Sequence, residues 1–182
     1  GIFRPVLHRI LGDAAVAAGI GIQLGTTVSS LTQSESAVDV VFSDGATGRY
    51  DLVVGADGLS SVVRSLVFPH APKPHYTGQG CWRAVIAKPP EIDSMCTFMA
   101  HDHKAGVNPI SNDEMYLYLL QHVPDNRRMP PDLWPALLAA ELEEFGGLIG
   151  EIRDGLGPES RNNYRPLEYL LLDPPWYRGR VL

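Results

Sequence analysis

The segment from Asp57 to Arg64 contains residues whose types and spacing are suited to binding a ligand. It follows a short apolar run, Leu52-Val53-Val54, which is typical of a strand buried on both faces of a parallel sheet. Ser60 or Ser61 can cap the helix predicted to come next. Ligands often bind just outside the carboxyl end of such a strand, where a helix N-terminus offers free N–H groups. We therefore expect a binding site at this turn.

Each side chain of the turn suggests a particular interaction. The Asp57 carboxylate can accept hydrogen bonds from the hydroxyl groups of a ribose, or from its own turn. Gly58 permits a positive φ and the close approach of a ligand. Arg64, one turn into the predicted helix, can pair with Asp57 or contact a second anion. An ordinary strand–turn–helix connection without a ligand is the alternative that residue types alone leave open.

The order of residues from Asp51 to Arg64 is more specific than its composition. An acidic residue, three apolar residues, two small residues and Asp57-Gly58 are followed by serines, apolar residues and Arg64. This order resembles the "DG" fingerprint of flavoprotein monooxygenases of the para-hydroxybenzoate hydroxylase type. Only Ser60 departs, because a charged or larger polar residue is more usual there. The resemblance implies that Asp57, Gly58 and Arg64 contact an FAD cofactor.

Arg4 and Val28 are two further cofactor candidates. A helix is predicted over Gly1–Gly19, and a cation at its start is disfavoured by the helix dipole, so Arg4 needs an anion or polar partner. The run from Ile2 to Arg9 resembles the same family, in which an arginine at this helix entrance reaches the flavin. The resemblance also implies that main-chain groups of Val28 lie along the adenine. A solvated arginine and a plain sheet residue are the alternatives.

The second half of the chain predicts an antiparallel sheet that could wall a small-molecule pocket. Arg83, Tyr116 and Tyr118 are the candidate substrate residues. Arg83 suits a carboxylate or phenolate through a charge-assisted hydrogen bond, and the tyrosine rings suit a planar aromatic acid. Trp82 should point to the opposite face from Arg83. Tyrosines that pack the sheet and a surface arginine are the alternative.

These residues are positioned by a fold of the α/β plus α+β class. The sequence predicts a partial Rossmann-like FAD-binding region over residues 1–74, an antiparallel substrate region over 75–172, and a return to the first region over 173–182. The expected strands cover residues 21–24, 26–32, 37–42, 49–54, 76–87, 95–100, 106–110, 115–122, 164–172 and 179–182. The later helices are expected over residues 131–145 and 148–155.

Composition excludes several classes of function. The net charge of −6 and the lack of basic clusters argue against binding to nucleic acid or to anionic membranes. No apolar run approaches the ~20 residues that span a bilayer, and no signal peptide is visible, so a cytoplasmic protein is expected. Cys81 and Cys96 are expected to be two buried thiols. His101-Asp102-His103 resembles half of a metal site, but the polar end of a hairpin is the favoured interpretation, and no metal is expected.

Together these features indicate part of an FAD-dependent hydroxylase of the salicylate hydroxylase-like branch. The resemblance implies NAD(P)H and dioxygen as co-substrates and a small aromatic substrate. No G-x-G-x-x-G motif occurs, and the second flavin motif, a Gly-Asp expected to follow Leu182, is missing too, so the chain is expected to be an internal segment that holds FAD poorly by itself. A flavin reductase or halogenase of the same fold, and an inactive remnant or interaction module, are the alternative functions.

Overall fold

The structure, a computed structural model, describes all residues from 1 to 182. Packing divides the chain into two compact units: residues 1–17 with 76–167, and residues 18–75 with 168–182. We call them the five-strand unit and the three-strand unit, after their sheets. The helices are α1 (Arg4–Ala17), α2 (Val62–Val67), α3 (Trp134–Glu141, after a 3-10 turn at Pro131–Leu133) and α4 (Gly147–Asp154). The strands are β1 (Val28–Gln33), β2 (Val38–Phe42), β3 (Thr47–Tyr50), β4 (His75–Ala87), β5 (Cys96–Met99), β6 (Lys104–Pro109), β7 (Glu114–His122) and β8 (Asn163–Tyr169).

The sheet of the five-strand unit has the order β5-β6-β7-β4-β8, and the predicted second sheet is thereby confirmed. Strand β4 pairs with β7 antiparallel, with Arg83 opposite Tyr118 and Val85 opposite Tyr116. Directly opposed residues share a face of the sheet, so Arg83, Tyr116 and Tyr118 lie on the same side. Trp82 is fully buried on the other side, as strand alternation predicts.

Helices α3 and α4 supply the apolar side chains that pack against the buried face of this sheet. The fully buried residues of this core include Trp82, Met115, Leu117, Leu119, Leu138, Leu142 and Ile149. Burial of one such side chain contributes roughly 1.5–3 kcal/mol to the free energy of unfolding. The opposite face of the sheet carries polar and aromatic side chains, and it is this face that is available for a binding site.

The three-strand unit is an antiparallel meander of β1, β2 and β3, which confirms the predicted hairpin. Its small core consists of Val38, Val40, Val63, Val67 and Val181. The predicted buried strand over residues 49–54 is wrong. Residues up to Tyr50 belong to β3 of the meander, and beyond it only Val53 makes a parallel bridge, to Val181. The side chains of a parallel strand are buried only when other elements cover both faces of its sheet. Here the segment makes one bridge, and Leu52 and Val54 are 59% and 58% exposed.

Several other predicted elements differ from the structure. Residues 21–24 form no strand, and residues 179–182 contribute only isolated bridges. The helix predicted to reach residue 145 ends at Glu141, and the strand predicted to reach 172 ends at Tyr169. Helix α1 forms as predicted, but none of its residues is buried. The helix packs with the five-strand unit, so residues 1–74 are not one packing unit, although the division into cofactor and substrate domains stays a prediction.

The two cysteines are free thiols, as predicted, but they differ in environment. Cys81 is buried, and desolvation raises the pKa of its thiol, whereas Cys96 is half-buried. The prediction that both thiols are buried is therefore wrong for Cys96. Its strand β5 is at the edge of the sheet, where there is no further strand to cover it.

Candidate cofactor and substrate sites

The turn before α2 is organised around the Asp57 carboxylate. One carboxylate oxygen accepts hydrogen bonds from the backbone N–H groups of Val62 (2.6 Å) and Val63 (3.2 Å), and the other accepts one from the Ser61 hydroxyl. The Ser61 Oγ in turn accepts the backbone N–H of Arg64 at 2.9 Å, so Ser61 is the N-cap of α2. The structure thus shows the second of the two interactions considered for Asp57, hydrogen bonds within its own turn.

These hydrogen bonds also set the protonation state of Asp57. Desolvation raises the pKa of the carboxyl, but the hydrogen bonds from Ser61 and from the backbone of Val63 and Val62 outweigh it, so the pKa lies below its ordinary value. Asp57 is therefore ionised at neutral pH. A carboxylate offers about four lone-pair sites, and the turn uses three of them, which leaves capacity to accept a further hydrogen bond from a ligand hydroxyl.

Arg64 does not pair with Asp57. Its guanidinium donates to the carbonyl oxygens of Gly58 (3.3 Å) and Leu59 (2.6 Å), so it closes the turn from the opposite side. Of the two interactions considered for Arg64, the ion pair with Asp57 does not form, because these carbonyl oxygens hold the guanidinium. Gly58 has a φ of 83°, in the region that favours glycine, as the sequence predicts. Contacts of Gly58 and Arg64 with a cofactor stay predictions.

A groove of about 660 Å³ lies on the polar face of the five-strand unit, and we call it the arginine groove. The start of α1 contributes Arg4, strand β4 contributes Arg83, and strand β7 contributes Tyr116. The sequence singled out these residues separately, the first for a cofactor and the other two for a substrate. The structure brings them into the lining of one groove, together with Ile2, Phe3, Pro5, Val85, Arg161, Asn162, Asn163 and Arg165.

The lining of the arginine groove contains guanidinium groups and no carboxylate. Arg161 is neutralised by an ion pair with Glu114, and its guanidinium stacks 5.3 Å from the Phe3 ring centroid. Arg4, Arg83 and Arg165 make no ion pair within the chain. Arginine stays charged at any physiological pH, so this groove has a positive potential that favours an anionic ligand.

Tyr118 and Val28 lie elsewhere. The Tyr118 hydroxyl is 2.8 Å from the Thr97 hydroxyl, and its ring covers Gly106, where a Cβ atom would lie 2.4 Å from the ring or hydroxyl. Tyr118 shares the face of Tyr116 but is outside the groove lining, so this groove gives no support for its substrate contact, which stays a prediction. Val28 is half-buried in β1 and pairs with Phe42. A contact between its main chain and adenine stays a prediction.

Sequence reasoning missed the contribution of residues 161–165 to the arginine groove. Strand alternation could have found Asn163 and Arg165, because residues two apart on β8 share a face. No sequence signal marked Asn162, whose side-chain N and O atoms are buried without a hydrogen-bond partner. A buried amide left unpaired costs about 1–3 kcal/mol per group, so it is a position where a polar ligand atom would be stabilising.

The HxH motif contributes one residue to a charged cluster. His103 contacts the Asp102 carboxylate through Nδ1, and its Nε2 is 3.8 Å from a Glu144 oxygen. His101 is not part of this cluster. The two carboxylates flank the imidazole, and both are largely exposed. The cluster is therefore described as a histidine in contact with two exposed carboxylates at a hairpin end, and the expectation of no metal stays a prediction.

Comparisons with known proteins identify the family. A family model described as an FAD binding domain matches residues 3–147. The 2-heptyl-3-hydroxy-4(1H)-quinolone synthase of Pseudomonas aeruginosa (strain UCBPP-PA14) is 32% identical over 166 residues, which cover 88% of this chain and 42% of that protein. Klebsiella pneumoniae HpxO, solved with FAD and uric acid, superposes with a TM-score of 0.87 at 23% identity, over 98% of this chain and 46% of that one. A salicylate hydroxylase substrate complex gives a TM-score of 0.75 at 17% identity, over 96% of this chain and 48% of that one.

The matches cover most of this chain but only part of each related protein. The chain spans about half the length of the curated relatives it matches. None of its helices is long and apolar enough to cross a membrane. The family match covers most of the chain, and the related structures share its fold. This chain therefore belongs to the FAD-dependent aromatic-ring monooxygenases of the para-hydroxybenzoate hydroxylase and salicylate hydroxylase-like family.

Proposed function

We propose that this chain forms part of a cytoplasmic flavin monooxygenase that uses NAD(P)H and dioxygen to hydroxylate a small aromatic or heteroaromatic ring. The observation that carries the proposal is the arginine groove. Two residues expected at the substrate, Arg83 and Tyr116, line the same groove as the residue expected at the flavin, Arg4. A hydroxylation site needs the substrate and the cofactor in contact. Because Arg4, Arg83 and Tyr116 line the same groove, we propose that the substrate and the flavin meet there.

The residues of the chain fit parts of an FAD molecule. Asp57 is ionised and keeps an unused acceptor site, which suits a ribose hydroxyl. Arg64 and Gly58 hold the turn in the shape that presents this carboxylate. Arg4 lines the arginine groove without an acidic partner, which suits a polar or anionic edge of the flavin. Bound FAD would supply the redox chemistry with reduced nicotinamide and dioxygen.

The chain's own contribution to the reaction is to bind and orient the substrate. Arg83 can donate charge-assisted hydrogen bonds to a carboxylate or phenolate, which fixes the acidic edge of a ring. Tyr116 and Phe3, whose ring centroids lie 6.1 Å apart, offer aromatic surface for the ring itself. The relatives are named for a quinolone and for salicylate, and one was solved with uric acid, so planar rings with polar edges are the substrate class we propose.

The same groove argues against the alternative flavin enzymes considered above. A halogenase or reductase of this fold would be expected to show a catalytic lysine or a distinctive tryptophan motif. The groove lining contains neither lysine nor tryptophan. The observed lining of arginine, asparagine and aromatic side chains is suited to positioning a substrate and has no such group.

The test is anaerobic reduction of bound flavin by NADH or NADPH in the intact protein, with uric acid, salicylate and a 4-quinolone as ring substrates. We expect at least one ring to accelerate reduction and, after oxygen is admitted, to gain one oxygen atom from ¹⁸O₂. A protein that binds FAD but gives only hydrogen peroxide with every ring, or that binds no FAD, would contradict the proposed function.

A further inference from the structure

The arginines of this chain divide into partnered and unpartnered groups. Arg49, Arg153 and Arg161 form ion pairs with carboxylates. Others donate to backbone carbonyl oxygens or stack on an aromatic ring: Arg64, Arg178 and Arg180. The arginines with no partner of these kinds are Arg4, Arg9, Arg83, Arg127, Arg128 and Arg165. All of these except Arg9 line the arginine groove or a second groove in the five-strand unit.

The second groove has a volume of about 550 Å³, within the range of small-molecule sites. It lies between the edge strand β8 and the loop that leads into α3, and Arg165 belongs to the lining of both grooves. We call it the loop groove. Its lining consists of Asn126, Arg127, Arg128, Met129, Pro130, Pro131, Trp134, Tyr164, Arg165 and Pro166.

The loop groove combines cationic and aromatic chemistry. Arg127, Arg128 and Arg165 supply guanidinium groups, and no carboxylate lies in the lining. Asp125 and Asp132, in the same loop, form no ion pair with them. The Trp134 indole donates its N–H to the Met129 carbonyl oxygen at 2.8 Å, which fixes the ring in the groove wall.

Tyr164 lines the loop groove and also belongs to the buried core, where it packs against Trp82. Tyr164 is 6% exposed, and its hydroxyl is buried with no hydrogen-bond partner. The hydroxyl lies against Gly80, where a Cβ atom would come within 2.4 Å of it, so the sequence keeps this position free of a side chain. An unpaired buried hydroxyl is unfavourable by itself, and buried polar groups are ordinarily satisfied.

From these observations we propose that the loop groove binds a nucleotide through its diphosphate and base, separately from the FAD site. Arg127 and Arg128 would contact phosphate oxygens, because guanidinium groups match them bidentately. Trp134 and the proline rings would pack against the base, an arrangement that a simple inorganic anion does not need. The adjoining Arg165 would place the nucleotide next to the arginine groove. NAD(P)H, the co-substrate of the proposed reaction, contains both a diphosphate and a base. The nucleotide site proposed here nevertheless rests only on the residues of the loop groove.

The experiment measures ADP and adenosine binding to the FAD-loaded intact protein by calorimetry, so that ADP cannot occupy the flavin's own site. The variants are the double change Arg127→Ala with Arg128→Ala, the charge-preserving change of both residues to Lys, and Trp134→Phe. Arg9→Ala is the matched control, since Arg9 is an unpartnered arginine that lines neither groove. Circular dichroism melting confirms that each variant is folded, and Trp134→Phe keeps an aromatic ring in the core contact.

We expect ADP to bind at least about tenfold more tightly than adenosine, and the double alanine change to remove that difference. The lysine variant should retain part of it, Trp134→Phe should weaken both ligands, and Arg9→Ala should change neither. No ADP binding, equal binding of adenosine, or equal loss in the Arg9 variant would overturn the proposal. Competition of NADPH with ADP would support it. The titration requires no flavin reduction, so its failure is distinct from failure of the proposed hydroxylation.

Discussion

The five-strand unit and the three-strand unit differ in how completely they bury their apolar residues. In the first, helices α3 and α4 cover the sheet, and Trp82 and Leu117 are fully buried. In the second, only a small valine cluster is buried, while Leu24 and Leu52 are 84% and 59% exposed. Helices α3 and α4 cover one face of the five-stranded sheet. The apolar run at residues 52–54, in contrast, makes a single parallel bridge, from Val53 to Val181. The difference shows that the five-strand unit buries its apolar residues in a continuous core, whereas the three-strand unit leaves many of its apolar residues exposed.

Two leucine-to-alanine substitutions, one in each unit, test whether the units differ in burial. Leu117→Ala in the five-strand unit should lower the free energy of unfolding by about 2–5 kcal/mol, because a fully buried leucine leaves a cavity. Leu52→Ala should change it by less than about 0.5 kcal/mol, because its side chain is largely exposed. Urea unfolding followed by circular dichroism measures both. An equal decrease in the free energy of unfolding for both variants would mean that Leu52 is as well packed as Leu117, which would contradict the difference between the units.

A second prediction concerns the ligand turn of the three-strand unit. Asp57→Ala should weaken FAD binding by the intact protein by about 1.5–3 kcal/mol and slow flavin reduction, because a charge-assisted acceptor is lost. Asp39→Ala is the matched control, since Asp39 is an exposed carboxylate in a surface ion pair with Arg49, worth about 0–1 kcal/mol of stability. Unchanged flavin retention in the Asp57 variant would refute the assignment.

The polar face of the five-strand unit gives a third prediction. Arg83→Ala should raise the dissociation constant of an acidic ring substrate by about tenfold or more, through loss of a charge-assisted hydrogen bond in the arginine groove. Tyr118→Phe should leave that constant unchanged, because its hydroxyl contacts Thr97 outside the groove. Substrate titration of the flavin absorbance in the intact protein measures both. If Tyr118→Phe raised the substrate dissociation constant as much as Arg83→Ala does, the arginine groove would not be the substrate site.

Arg4 gives a smaller effect that separates binding from folding. Arg4→Ala should raise the FAD dissociation constant several-fold, because Arg4 lines the groove without an acidic partner, and should move the melting temperature by only a few degrees. Arg9→Ala on the same helix should change neither quantity. If melting falls sharply and flavin affinity stays constant, Arg4 has a structural role only.

The smallest expected effect is the pH dependence of the Asp57 turn. Its folded-state pKa is lowered, so its contribution to stability is present above the ordinary carboxyl pKa and is lost as pH falls through the folded value. The stability difference between the parent and Asp57→Asn should therefore be constant near neutral pH and shrink below about pH 4. Urea unfolding at a series of pH values measures it, and a difference that grows on acidification would contradict the sign.

Local patterns in the sequence determined much of the fold. Alternation of apolar residues correctly predicted β7 and the opposite faces of Trp82 and Arg83, because side chains of a strand alternate regardless of what the strand packs against. Turn chemistry likewise predicted Ser61 as a possible cap and the positive φ of Gly58, since both depend on residues only a few positions away. The residue order around Asp57 also identified the flavin monooxygenase family.

Tertiary structure decided what those patterns could not. An apolar run at residues 52–54 predicts burial, but burial requires other elements to cover both faces of the strand, and Leu52 and Val54 remain exposed. Arg64 could reach Asp57 by spacing, yet its guanidinium donates to the carbonyl oxygens of Gly58 and Leu59. The arginine groove assembles the start of α1, two central strands and the residues around β8, and the loop groove joins the α3 loop to β8. Such sites depend on long-range packing, whose partners no local pattern specifies.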